Sequence, residues 1–216
     1  MRIRTTGTRT VLAAVTALVI AGAGCGGSDS GGGSGGGSSA SGTPQSGGSV
    51  VIDRVADSQS MDKTTVFDNE SIWIFEQIME PLYTVSKDGK DVVPWLATSY
   101  TLSPDKKTYT FKLRPGVKFS NGQPMTSADV KFSIDAARVE DQGWGFLDVA
   151  IKDIEAPTPD TVVIHTKYPW SPFLADIALF ANGIIPKDYG GETKKEFYEH
   201  PVGTGPFMWD HWDKGN

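Results

Sequence analysis

Between Gly26 and Gly48 the chain cannot build a core: eleven of these twenty-three residues are Gly and seven are Ser. Such a stretch has almost no apolar area to bury against the entropy of ordering it, so its composition predicts a flexible tether. As a coil it reaches on the order of 25 Å. Whatever folds must therefore lie beyond it, in the 168 residues from Ser49 to Asn216, enough for one hydrophobic core.

The segment before the tether has its own logic. Arg2, Arg4 and Arg9 precede an apolar run from Val11 to Ala23, and no acid occurs before Cys25. Thirteen residues, apolar but for Thr16, fall short of the ~20 needed to span a bilayer. A basic start, a short apolar run and small residues before a cut describe an export leader. Cys25 is the only cysteine in the chain, so it has no internal disulfide partner. The run Gly22-Ala23-Gly24-Cys25 resembles a bacterial lipoprotein signal, with Gly22 standing where Leu is usual. The resemblance implies cleavage after Gly24, lipidation of Cys25 and a domain held at the outer face of the membrane by a lipid anchor. The alternative is an ordinary export leader with an incidental cysteine. Loss of the leader's three arginines takes the formal charge from -6 to -9, which argues against nucleic acid as a partner.

Within 49–216 the pattern is α/β. "GGSVVIDRVAD" reads as a first strand. "DNESIWIFEQIMEP" reads as a helix capped by Asp68 and stopped before Pro81, with Ile72, Phe75, Gln77, Ile78 and Met79 on a mixed apolar stripe. Alternation of Tyr100 and Leu102, then Tyr109, Phe111 and Leu113, predicts a hairpin around Ser-Pro-Asp. "MTSADVKFSIDAARV" predicts a helix with a Thr126–Asp129 capping box and a buried stripe of Val130, Ile134 and Ala137. "IKDIEAPTPDTVVIHT" predicts a strand pair. "SPFLADIALF" places Ser171 as a cap with Pro172 at the first helical position. "PVGTGPF" is a tight turn into a strand; it lacks the Lys-Ser/Thr and the following helix of a phosphate loop.

Little catalytic chemistry is visible. His165, His200 and His211 share no ligand spacing and no C-x-x-C or H-E-x-x-H occurs, so no metal and no cofactor are expected. Asp135, Glu140 and Asp141 read as a solvated helix face more readily than as an acid pair. The six tryptophans carry more information. Trp73, Trp95 and Trp209 sit in apolar patterns and are expected in the core. Trp144 stands between glycines in "EDQGWGFLD", where core cover and ligand platform are equally consistent with the residues alone.

One long stretch is specific. "VVPWLATSYTLSPDKKTYTFKLRPGVKFSNGQPMTSADVKFSI", Val92 to Ile134, resembles the signature region of family 5 extracytoplasmic solute-binding proteins, the peptide and nickel receptors of ABC importers. "EPLY", "DTVVIHT", "SPFLADIALF" and "PVGTGPF" follow in the family's order. "KFSNG" departs from it, with Ser120 and Asn121 where many members have His-Asp. The resemblance implies a periplasmic-binding-protein type II-like fold, a two-lobed cleft of which only the N-terminal part is present. In that scheme 1–24 is the leader, 25–48 the lipidated cysteine and tether, 49–80 and 167–216 part of the first lobe, and 81–166 an inserted subdomain. It also implies a monomer that is not an enzyme, captures small peptides and delivers them to membrane permease subunits. Phe67, in the loop Ser58–Ile72, and Trp144 are the ligand-facing residues it assigns. Chelated nickel, a sugar or an opine are the alternative ligands; Asp141 and Phe180–Gly183 offer none of the arginines of nickel-type members. An exported hydrolase is the remaining alternative.

Overall fold

The computed structural model of the chain describes residues 4–5, 47–138 and 143–215. Most of the leader, Cys25, most of the tether, and Glu140 and Asp141 lie outside the described residues. Val51–Asn216 form the body of one compact unit, which also takes in Met1–Thr6; Gly7–Val50 form a separate one.

The elements are β1 (Arg4–Thr5), α1 (Asn69–Ile78), β2 (Tyr83–Val85), β3 (Val92–Pro94), β4 (Ala97–Leu102), β5 (Thr108–Leu113) and α2 (Ser127–Arg138). There follow β6 (Ile151–Thr158), β7 (Thr161–Thr166), α3 (Phe173–Asp176), α4 (Lys194–Glu199) and β8 (Phe207–Met208). The main sheet is antiparallel, in the order β4-β5-β7-β6. Small hairpin β2–β3 and the short pair β1–β8 complete the strands among the described residues. No helix among the described residues is long and apolar enough to cross a membrane.

Local chemistry explains most boundaries. Asp68 caps α1, its side chain accepting from Ser71 N at 2.8 Å. The helix ends two residues short of Glu80-Pro81, and Met79 N donates to Phe75 O. Asp129 anchors the start of α2, its Oδ2 accepting from both the Thr126 amide and hydroxyl at 2.7 and 2.8 Å. The Thr126 hydroxyl is therefore a donor, and only half of the expected capping box forms. Oδ1 of Asp129 accepts instead from Lys187 N, tying α2 to the far side of the chain. Val130, Ile134 and Ala137 are fully buried, as the 3.6-residue period requires.

Two cores result. The first lies between the sheet and α2, built on Leu82, Phe111, Val130, Ile134, Val162, Ile164 and Phe173. The second collects Met61, Phe75, Ile78, Met79, Ile185 and Phe197 around α1 and α4. "PVGTGPF" locks against the end of α1. Gly205 N donates to Ile78 O at 2.8 Å, and a Cβ on Gly203 would stand 2.0 Å from that same oxygen.

Four sequence expectations need correction. Residues 47–57 form no strand: Val50, Val51, Ile52 and Val55 are all at least three-quarters exposed. An apolar alternation becomes a strand only when a neighbour satisfies its amides, and no described strand lies alongside. Trp73 and Trp95 are not core. Trp73 falls on the outer face of α1, whose inner face is Ser71, Ile74, Phe75 and Ile78. Gln77, expected on the buried stripe, is exposed too. Trp95 is about half exposed, with its indole donating to Glu80 Oε1 at 2.7 Å; Trp209 does pack on the second core. The expected β4–β5 hairpin forms, with Tyr100 opposite Phe111 and Leu102 opposite Tyr109 on the same face of the sheet; Tyr100 packs on Tyr83, Tyr109 and Phe111 at the open edge of that core. In "SPFLADIALF" Pro172 is itself the cap of a four-residue helix, and Ser171 caps nothing.

Candidate functional site

The loop after residue 57 is fastened at both ends. Arg54 donates to Ser58 Oγ and to Glu70 O, at 3.0 and 2.7 Å, and Gln59 N donates to Ser71 Oγ. Asp62 accepts from the amide and hydroxyl of Thr64 and pairs with Lys194 at 3.1 Å. Lys63 points inward. It is fully buried, and its ammonium donates to Ala181 O, 118 residues on.

Trp144 opens a 3-10 turn over Trp144–Asp148 and is stitched to this loop twice. Its amide donates to Thr64 O at 3.0 Å and its indole Nε1 to Val66 O at 2.7 Å. The indole's polar edge is thereby satisfied, and its faces remain for contact. Phe67 stacks on it, with ring centroids 4.8 Å apart and planes 28° off parallel. Phe180 meets it edge-on at 4.9 Å and Phe146 at 5.6 Å. Phe67 and Phe146 are 56% and 57% exposed, while Trp144 and Phe180 are half-buried. The structure therefore brings the two sequence-assigned residues, Phe67 and Trp144, into direct contact. Phe146 and Phe180 were not singled out from sequence. Phe146 carries a local signal, two residues after Trp144, but Phe180 is joined to them only by the fold.

Beneath the aromatic cluster lies a polar, buried layer. Asp148 ends the same 3-10 turn and accepts from Asn182 Nδ2 at 3.2 Å, while its Oδ2 has no hydrogen-bond partner. Burial pushes the Asp148 carboxyl up to about 6, against the opposing pull of Asn182 and Lys63. Burial likewise brings the Lys63 ammonium down to about 8, with Asp62 and Asp148 holding it from falling further. At neutral pH both are charged, and their mutual attraction spans the joint between the 58–72 loop, the Trp144 turn and the Phe180 turn. The uncovered aromatic faces above offer van der Waals and stacking contact, not bond-making chemistry.

A cavity of about 930 Å³ also opens beside Gln59–Asp62, bounded by α4 and by Trp209 and Trp212. Neither Phe67 nor Trp144 lines it. Several of its polar groups have partners: Asp62 pairs with Lys194, His211 lies beside Asp210 and Asp213, and the Trp212 indole donates to Asp57. The aromatic cluster, by contrast, leaves two of its rings, Phe67 and Phe146, open to solvent. Asp135, the one described member of the supposed acid pair, is spent on Lys131 and Arg138.

Residues 91–216 match the family model of bacterial extracellular solute-binding proteins, family 5 (middle region). The chain belongs to this family. Among curated family members, the probable D,D-dipeptide-binding periplasmic protein DdpA of Escherichia coli K12 is 32% identical over 177 residues, covering 77% of this chain and 34% of that protein. The nickel-binding periplasmic protein of the same organism is 36% identical over 135 residues, covering 61% and 26%. Among solved structures, the periplasmic binding protein DppA of Helicobacter pylori, in complex with the peptide STSA, superposes with a TM-score of 0.64 at 33% identity, covering 74% of this chain and 36% of that one. The architecture is thus that of the type II periplasmic binding proteins, and the chain spans about a third of the length of the family 5 members it matches.

Proposed function

We propose that this chain is the N-terminal part of an extracytoplasmic receptor for an ABC importer, taking up peptides of the dipeptide or oligopeptide class. Phe67 and Trp144 form one wall of the ligand cleft, and the remaining wall belongs to a second lobe that closes over the ligand by a hinge. The observation that carries the reading is the Phe67–Trp144 stack, anchored at its polar edge and open at its face. A rigid, desolvatable aromatic surface held by backbone hydrogen bonds is what a small ligand needs in order to be gripped without ordering the site first. The peptide class is supported by the similarity to DdpA and to the peptide complex of DppA.

The division of the chain follows. The buried residues of the second core come from Met61–Met79 and Ile185–Tyr198, with Phe132 of α2 packing against them from the other part of the chain, which supports 49–80 and 167–216 as one lobe. All strands of the main sheet, and α2, fall inside 81–166, which supports an inserted subdomain, sealed to the lobe by Phe173, Ile177 and Ile184. Cys25 is the lipidated residue and 26–48 the tether. Cleavage before Cys25 removes β1 and leaves β8 unpaired, a loss of two residues of ladder. The test is isothermal titration of the protein, as its gene encodes it, with a pool of di- to pentapeptides and separately with a nickel–histidine complex. Saturable heat from the peptides alone supports the reading; saturable heat from the nickel complex alone overturns it.

A further inference from the structure

The sheet face away from the first core holds a cluster that the aromatic wall does not use. On β6, Asp153 and Glu155 are two residues apart, so the pleat turns both carboxylates to one face. Register places Asp153 opposite His165 on β7, and His165 opposite Thr108 on β5. His165 Nε2 lies 3.3 Å from Glu155 Oε1 and 3.8 Å from Asp153 Oδ1. One ligand atom from each of the three falls within 4.8 Å of the other two. On the opposite edge of the ring, Nδ1 is 3.1 Å from Thr108 Oγ1.

We propose that Asp153, Glu155 and His165 form a binding site for a borderline divalent metal ion such as Zn²⁺ or Ni²⁺. In the tautomer whose Nδ1–H donates to Thr108 Oγ1, the Nε2 lone pair faces the two carboxylates. A metal ion between the three groups satisfies all of them at once; in its absence Nε2–H can donate to Glu155 while Nδ1 accepts from the Thr108 hydroxyl, so metal uptake displaces the Nε2 proton. Ligands bound tetrahedrally at about 2.1 Å stand roughly 3.4 Å apart, close to the two separations measured from Nε2. Lys152 pairs with Asp153 through Oδ2, at 3.6 Å, which leaves Oδ1 to the metal. The Thr108 contact orients the ring and can accept Nδ1–H once Nε2 holds a metal, as outer partners of metal-bound histidines do. One imidazole and two carboxylates favour Zn²⁺, Ni²⁺ or Cu²⁺ over Ca²⁺, which takes six or more oxygens. All three side chains are at least 30% exposed, so water completes the coordination. The bound ion clips β6 to β7 independently of any ligand in the cleft. The sequence conceals this site because its ligands alternate along one strand and cross to another.

The test is ZnCl₂ titration of the full chain, with Cys25→Ala in every arm to remove the thiol. Long-range ¹H–¹⁵N spectra of the three imidazoles follow His165 separately from His200 and His211, the latter flanked by Asp210 and Asp213. The site predicts that His165 Nε2 shifts on uptake of one equivalent. His165→Gln then weakens Zn²⁺ affinity at least tenfold, Thr108→Val weakens it about tenfold, and the double variant His200→Gln/His211→Gln leaves it unchanged. An unmoved His165 signal at tenfold excess Zn²⁺, equal affinity in His165→Gln, or equal uptake of CaCl₂ would each overturn the proposal.

Discussion

Replacing Asp148 by Asn should flatten the dependence of stability on pH between about 4 and 7. Asp148 is 3% exposed, its Oδ2 has no hydrogen-bond partner, and burial raises its carboxyl from 3.8 to about 6. Because the folded value lies above the unfolded one, the native state holds the proton longer. Stability is therefore highest below about 4 and is lost as pH rises through 6. At about 1.4 kcal/mol per pH unit the full effect is about 3 kcal/mol, of which about 2 falls between pH 4 and 7. Asn keeps the shape and cannot ionise. Lys63, brought to about 8, stays protonated through this window in the wild type, and the other carboxylates titrate alike in both proteins. Urea unfolding at pH 4, 5, 6 and 7 on both gives the difference directly. The stability of Asp148→Asn relative to wild type should rise by about 2 kcal/mol across the series. Profiles that run parallel would refute the argument that a buried, only partly compensated carboxylate underlies the aromatic wall.

Two further outcomes are expected. Gly203→Ala should destabilise by about 1–3 kcal/mol by thermal or urea unfolding, since its Cβ would meet Ile78 O at 2.0 Å and backbone must move; an unchanged midpoint would mean that the turn is not held against α1. Growth of a Gram-positive host with labelled palmitate should label the wild-type protein and not Cys25→Ala; label on the variant, or none on the wild type, removes the lipid anchor.

What the sequence could reveal was whatever depends on near neighbours. The Asp68 cap, the Val130–Ile134–Ala137 stripe and the β5 and β7 arms follow from spacings of three, four and two residues, and all appear in the fold. Trp73 and Trp95 lie outside the core, against expectation, because an apolar pattern says that a large ring lies on an element, not which side of it is covered. The stretch 47–57 was misjudged because a strand is made by its partner. At the site, Trp144 stood out through its flanking glycines and Phe67 only through the family resemblance. The layer that holds them did not stand out at all: Lys63 bonds to Ala181, and Asp148 to Asn182. Nothing in the local spelling of a lysine within "DKTT" marks it as fully buried.

The central claim is that the exposed aromatic stack grips the ligand, and Phe67→Ala tests it most directly. Phe67 is 56% exposed and its main partner is Trp144, so truncation should cost the fold only about 1 kcal/mol, the worth of an aromatic pair. In the cleft it should cost far more, because a ligand that desolvates this face loses its platform. Peptide titration and urea unfolding are to be run on wild type and Phe67→Ala, using the protein as its gene encodes it. The account predicts at least a tenfold loss of peptide affinity, equivalent to about 1.4 kcal/mol or more, with unfolding stability lowered by no more than about 1 kcal/mol. Full peptide affinity in a folded Phe67→Ala protein would contradict it.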